Sequence, residues 1–274
     1  MNNPSRTSNM FIATLDILGI TQMMCEAKNN ELDDIASNLR EVLTSVSNRM
    51  KGVVADAVTK VKIKDKEVLD EILNTIRFNI FSDTVVIGYD MDHAPENYEK
   101  IAASLFMAQV RFTAHDLFEN GYPSRGCIDF GPVHWEDDLV IGNPYANSYK
   151  VSESLDFSGV VITEEAFKVY DEHYRATTIK FSGTYFKPLP VPLKTGGFRE
   201  MINVNWIKPT RYTTLASQFE NSKDLRQLLY EKFAANGKTM AESALRKMAN
   251  TENVIRAFIM QNKTIMRQKE NNGK

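Results

Sequence analysis

The chain has 274 residues, of which 43% are hydrophobic and 25% charged, and its formal net charge is −2. Such values describe a globular protein with enough apolar material for a full core, built as one large domain or as one domain with a smaller appendage. The near-neutral charge offers no electrostatic reason to bind nucleic acid or an acidic membrane surface, and no apolar run approaches the roughly 20 residues that span a bilayer. The polar start MNNPSRTSN lacks a signal-peptide core, and Cys25 and Cys127 stand apart without CxxC spacing. These features predict a reduced, cytoplasmic setting.

Residues 10–17 read as a buried strand. Over 32–50, Leu32, Ile35, Leu39, Val42 and Val46 recur at the spacing of one helix face. A charged segment then leads into a hairpin over 76–90. Residues 95–121 carry Pro95 near the start, a face of Ile101, Leu105, Ala108 and Phe112, and Gly121 as a stop, and so predict a helix. The stretch 124–135 reads as a strand bending at Gly131-Pro132, followed by a helix over 144–155, a strand over 158–162 and a helix from 163. From 177 to 206 two strands are expected, joined by a Pro/Gly-rich loop. Helical periodicity dominates 213–268, which places a boundary near 209: a domain over 1–209 and a helical extension over 210–274. The β-α-β-β-α-β order predicts a ferredoxin-like α+β fold, an antiparallel sheet with helices on one face. The bare face then needs a cover, and a second copy of the chain would provide one.

Two aspartates interrupt apolar strands. Asp16 ends the run FIATL and is followed by Ile17-Leu18-Gly19, while Asp83 sits inside FNIFSDTVVIGY. Taken singly, Asp16 reads as a helix cap and Asp83 as a turn residue. Taken together, at one end of neighbouring strands, they suit a pair of hard divalent cations holding a triphosphate, because a buried carboxylate is costly unless paired or metal-bound. Gly19 allows close backbone approach, and a helix start favours phosphate.

Four stretches carry a family resemblance. TLDILGIT (14–21) resembles the first metal-binding motif of the class III nucleotidyl cyclases, and FNIFSD (78–83) stands where that family has its second. SRGCIDFGPVH (124–134) and VIGNPYANSYKVSESL (140–155) are similar to the family's later strand and helix motifs. The style of these motifs is most similar to the pyrimidine cyclases of bacterial anti-phage (Pycsar) systems. The resemblance implies the class III cyclase fold and conversion of UTP or CTP to cyclic UMP or cyclic CMP plus pyrophosphate. It also implies two divalent cations, Mn²⁺ or Mg²⁺, a homodimer with sites at the interface, and a product sensed by a separate effector protein. Asp16 and Asp83 would bind both metals with their side chains and Ile17 with its carbonyl. Backbone N–H groups from Ile17 through Gly19 and Ile20 to Thr21 would cradle the phosphates.

Departures from the family pattern are informative. The purine-reading lysine of adenylate cyclases falls at Asn79, whose amide both donates and accepts. Phe11, Phe78 and Phe81 either narrow the base pocket toward a pyrimidine or are core. The family's asparagine falls at Ala146, with Asn147 one position off, and its transition-state arginine falls at Lys150, which is either a point charge for the site or a solvated lysine. Arg125 either binds phosphate or pairs with Asp129. His134 with Glu136, Asp137 and Asp138 reads as a solvated hairpin tip, and His93, His115 and His173 show no local partner pattern. A diguanylate cyclase is disfavoured, because FSDTV stands where its GGDEF hairpin would be. Two alternatives remain: a cyclase-like module that has lost turnover, and a purine cyclase with an unusual base pocket.

Overall fold

The computed structural model describes residues 7–61, 66–174, 186–207, 225–234 and 240–272. Strand β1 (Thr7–Ile17) is followed by helices α1 (Ile20–Glu26), α2 (Asn29–Val61) and α3 (Lys66–Thr75), then by the hairpin β2 (Arg77–Phe81) and β3 (Thr84–Asp90). Helix α4 (Glu99–Glu119) leads to β4 (Ser124–Glu136), β5 (Leu139–Ile141), α5 (Asn143–Ser154) and β6 (Gly159–Ile162). Helix α6 (Glu164–Val169) runs into a π-helical turn (Tyr170–Tyr174). The chain closes with β7 (Phe186–Pro192), β8 (Phe198–Val204), α7 (Leu225–Phe233) and α8 (Glu242–Asn272). The boundary expected near 209, and the helical reading over 213–224, lie outside the described residues.

The sheet order is β2-β3-β1-β4-β6-β8-β7, with β5 paired to β4. Its first four strands are antiparallel neighbours in the ferredoxin-like order, and β6 adds to β4 in parallel. Strand alternation sorts the two faces. Phe11, Ala13, Leu15 and Ile17 enter the main core beneath α4, whereas Met10 and Ile12 join Val86, Val133, Trp135 and Val140 on the opposite face. Helix α4 is buried along almost its whole length from Ala102 to Phe118. Two of its polar members reach main-chain carbonyls: Arg111 donates to Asn205 O at 2.6 Å, and His115 Nδ1 lies 3.2 Å from Trp206 O.

Two features differ from expectation. First, the second face carries a helix of its own. Helix α5 crosses it over β1 and β4, tied there by Asn147 to Asp129 and by Leu155 to Arg125. Trp135 lies over Gly88 so closely that a Cβ there would come within 2.4 Å of the indole. Part of the cover expected from a second copy thus comes from the same chain. Second, the Pro-rich run belongs to a strand rather than to the loop. Pro188, Pro190 and Pro192 alternate along β7, an edge strand that needs no N–H on its outer side, and the connection shrinks to Leu193–Gly197. Helices α7 and α8, expected to pack on the domain or on a partner copy, pack into the main core of their own chain: Leu225, Leu229, Met248, Val254, Ile255 and Phe258 are all buried in it.

Burial pushes the His115 imidazole down to about 4, against the pull of Glu119, and pushes the Asp116 carboxyl up to about 6. The two act oppositely. His115 stabilises the fold above its unfolded pKa and loses that contribution as pH falls from 6.5 toward 4, while Asp116 gains over a similar window. Between pH 7.5 and 5.5, denaturant unfolding should show the wild type losing about 1 kcal/mol more than His115→Gln. An equal change in both proteins would contradict the assigned burial.

Candidate active site

Ser82 and Asp83 form the two-residue turn between β2 and β3, with Ser82 at φ 56°. The turn abuts the end of β1, where Ile17 N donates to Asp83 O at 2.8 Å and Asp16 stands in register with Thr84. Asp83 is therefore a turn residue and a neighbour of Asp16 at once. Thr21 Oγ1 donates to Asp83 Oδ2 at 3.0 Å, so the first turn of α1 orients this carboxylate. Gly19, at φ 80°, makes the bend between β1 and α1, and open space surrounds the place a Cβ would take. Asp16 does not cap α1, whose N-cap has no side-chain bond.

Asp16 is instead paired across the sheet. Arg125, in register with it on β4, donates Nε to Asp16 Oδ2 at 2.6 Å, brings Nη2 to the same oxygen, and donates Nη1 to Leu155 O at 3.1 Å. Of the two partners expected for Arg125, Asp129 is not the one found. Asp129 accepts instead from Thr163 Oγ1 and Asn147 Nδ2, both at 2.7 Å. Burial holds the Asp16 carboxyl above its ordinary range despite Arg125, and the nearby Asp83 charge adds to the rise. An Asp16 carboxylate whose charge is made costly by burial and by the neighbouring Asp83, both of them hard oxygen donors, fits a divalent cation.

The other expected residues separate into two groups. Ile17 and Leu18 have spent their N–H groups on Asp83 O and Pro123 O, whereas those of Gly19, Ile20 and Thr21 have no main-chain acceptor among the described residues. Phe81 pairs with Thr84, shares the Asp16 face and is 38% exposed. Asn79 lies two residues further along β2, ~7 Å away, and its amide donates to Asp138 O at 3.2 Å. Phe78 and Ile80 point to the other face, lining an apolar groove of about 540 Å³ with Ile20, Leu32 and Leu39. Phe11 does not reach the carboxylates: its fully buried ring packs on Phe106, Phe130, Tyr170 and Tyr174. Asn147 is held by Asp129, and Lys150 is exposed on α5.

Three further residues join the site. Tyr149, on α5, has its hydroxyl held above the ordinary range by Glu153, then by burial, and then by Asp16 and Asp83. Lys194, from the β7–β8 turn, and Lys247, on α8, both approach Arg125. The histidines found partners that spacing alone did not mark, His93 with Asp90 at 2.9 Å among them. Among the described residues His115, Asp116 and Glu119 have metal-ligand proximity, but Arg49 already lies 3.1 Å from Asp116 Oδ1, and this group is separate from the Asp16–Asp83 pair. A cavity of about 840 Å³ opens at the opposite end of β3, lined by Arg77, Asp90, His93 and Glu136, ~20 Å along the strand from Thr84. No helix among the described residues is long and apolar enough to cross a membrane.

No protein-family model and no curated protein matches the chain. Among solved structures it is similar to the guanylate cyclase domain of RhGC from Catenaria anguillulae in complex with GTP, at 13% identity over 72% of this chain and 96% of that one, with a TM-score of 0.43. It is also similar to an adenylate/guanylate cyclase/hydrolase from Silicibacter pomeroyi, at 12% identity over 72% and 97%, with a TM-score of 0.40. A class III adenylyl cyclase-like ATP-binding protein from Pseudomonas aeruginosa is similar at 14% identity over 59% of this chain and 34% of that one, with a TM-score of 0.35. Likenesses at this level say nothing of what the chain binds or turns over.

Proposed function

We propose that this chain is a metal-dependent nucleotide cyclase of the class III type, converting a pyrimidine nucleoside triphosphate, UTP or CTP, into its 3′,5′-cyclic monophosphate and pyrophosphate. The observation that carries the reading is the convergence of Asp16, at the end of β1, and Asp83, in the β2–β3 turn, beside the open Gly19 turn. Asp16, Asp83 and the Ile17 carbonyl would hold Mn²⁺ or Mg²⁺. Bound there, the cations would lower the pKa of the ribose 3′-hydroxyl and neutralise the triphosphate. In the reaction the 3′-oxygen bonds to the α-phosphorus, the bond to pyrophosphate breaks, and the hydroxyl proton leaves to water.

The chain's own groups supply positioning and charge. Thr21 orients Asp83. Arg125 neutralises Asp16, and its planar fork beside that carboxylate would suit the phosphates of a bound nucleotide. Gly19, Ile20 and Thr21 offer free N–H groups to the phosphates. The product would serve as a second messenger in anti-phage defence, read by a separate effector. Lys150 would act across a homodimer interface, and exposed Tyr149 beside it on α5 suits such an interface.

A pyrimidine fits because Asn79 replaces a lysine and Phe81 takes up space beside the carboxylates. Incubation with Mn²⁺ and each of the four nucleoside triphosphates should yield cyclic product from UTP or CTP, and Asn79→Lys should lower that rate by about tenfold or more. Efficient use of ATP or GTP alone would remove the pyrimidine assignment. A second reading, a nucleotide-binding module without turnover, draws on Asn147 being engaged by Asp129 and on the absence of an arginine at position 150. Binding without product in the same assay would favour it.

A further inference from the structure

Around Asp16 the charges do not balance in pairs. Arg125 is matched to Asp16, and Arg246 of α8 is matched to Asp156 at 2.7 and 3.3 Å. Lys247, next to Arg246, is half-buried, and Lys194 projects from the β7–β8 turn. Among the described residues neither ammonium has an ion-pair partner within 4 Å. Lys247 also lines a small cavity of about 150 Å³ with Leu18, Gly19 and Gln22, at the turn that separates β1 from α1, and with Glu26 further along α1. Burial lowers the affinity of both lysines for their protons, and the Arg125 charge lowers it further, while Glu153, Asp16 and Asp156 oppose this at Lys194 and Asp156 opposes it at Lys247. Partly desolvated ammonium groups that lack a close ion pair of their own suit an anion in the space beside them.

The helix that brings Lys247 there is fastened, not loosely apposed. Asn250 Nδ2 donates to Asp156 O at 2.8 Å and to its Oδ2 at 3.0 Å, and Thr251 Oγ1 accepts from Ser158 N at 2.8 Å. The clasped segment begins one residue after Leu155, whose carbonyl holds Arg125. Lys194 is set against the same segment by its own N–H, which donates to Ser154 O at 2.9 Å.

We infer that Lys247, with Lys194 beside it, binds the outer phosphates of the nucleotide, so that the C-terminal helix supplies part of the polyphosphate subsite to its own chain. This rests on the reading of Asp16 and Asp83 as the metal and nucleotide centre, and it assigns the extension a direct binding role in place of a purely structural one.

Inorganic tripolyphosphate with Mg²⁺, titrated calorimetrically into the intact protein, tests the inference without requiring turnover. Lys247→Met keeps most of the aliphatic stem and removes the charge. It should weaken binding about tenfold or more, as expected for a lost charge-assisted contact, and Lys247→Gln should do the same. Lys247→Arg should stay within about threefold of wild type, since it keeps the charge. Unchanged melting temperatures would show that the effect is on the ligand. Equal affinity in wild type and Lys247→Met, or no binding by the wild type, would overturn the inference. A protein that binds tripolyphosphate through Lys247 yet makes no cyclic nucleotide keeps this inference and loses the cyclase reading. One that cyclises nucleotide with an unaltered KM in Lys247→Met does the reverse.

Discussion

Asp83→Ala is expected to lower nucleotide cyclisation by at least about a thousandfold while leaving the fold intact. Charge compensation at the α-phosphate is the main source of rate acceleration in such a site, and losing one ligand of a two-metal centre removes most of it. The fold should tolerate the change because Asp83 is half-buried in a two-residue turn, and its main-chain carbonyl, which holds Ile17 N, survives the substitution. Asp16→Ala should be equally inactive but less stable. It leaves the Arg125 guanidinium, 7% exposed, without its carboxylate, a loss of roughly 3 kcal/mol or more. Circular dichroism melts beside the turnover assay would separate the two effects. Near-normal turnover by folded Asp83→Ala would refute the metal assignment.

The second large effect is structural. A chain ending at residue 210 should fail to remain soluble and folded. The missing part contributes Leu225, Leu229, Met248, Val254, Ile255 and Phe258 to the main core. At about 1.5–3 kcal/mol for each buried side chain, their burial is comparable to the whole net stability of a domain. Removal would also uncover Lys187, which is 3% exposed and whose ammonium lies 5.8 Å from the Phe258 ring centroid. We therefore propose that residues 210–274 form an extension distinct in sequence character yet inseparable in energy from residues 1–209. Expression trials with sedimentation would check this; a truncated protein of unchanged melting temperature would contradict it.

What the sequence made legible followed from period and punctuation. The unbroken apolar run before Asp16, the helical face of Ile101, Leu105, Ala108 and Phe112, and the two-residue turn at Ser82-Asp83 each carry their signal locally. The order of strands and helices then implied that β1 and the hairpin could be neighbours, and Asp16 and Asp83 are indeed brought together. What escaped depends on long-range register. Arg125 meets Asp16 from 109 positions away only because β4 lies antiparallel to β1 in that alignment. Lys194 and Lys247 reach Arg125 through a turn and a helix that carry no motif. The unbroken apolar run of β1 implied burial, but nothing local showed that α5 would cover its second face. The Asn147–Asp129 bond that anchors it there joins a helix and a strand whose motifs carry no sign of that pairing. Phe11 was ambiguous because a strand phenylalanine looks the same whether it lines a pocket or a core.

Whether Asp16 and Asp83 together hold divalent cations for a nucleoside triphosphate is tested most directly by calorimetric titration of Mn²⁺ into the full-length protein. A non-cyclisable 3′-deoxynucleoside triphosphate would be present, and wild type would be compared with Asp16→Asn and Asp83→Asn. The predicted result is tight binding by the wild type and a loss of affinity of at least about tenfold in each variant, since each removes a charged oxygen donor. Equal affinity in all three proteins, or no Mn²⁺ binding by the wild type, would contradict the two-aspartate metal centre.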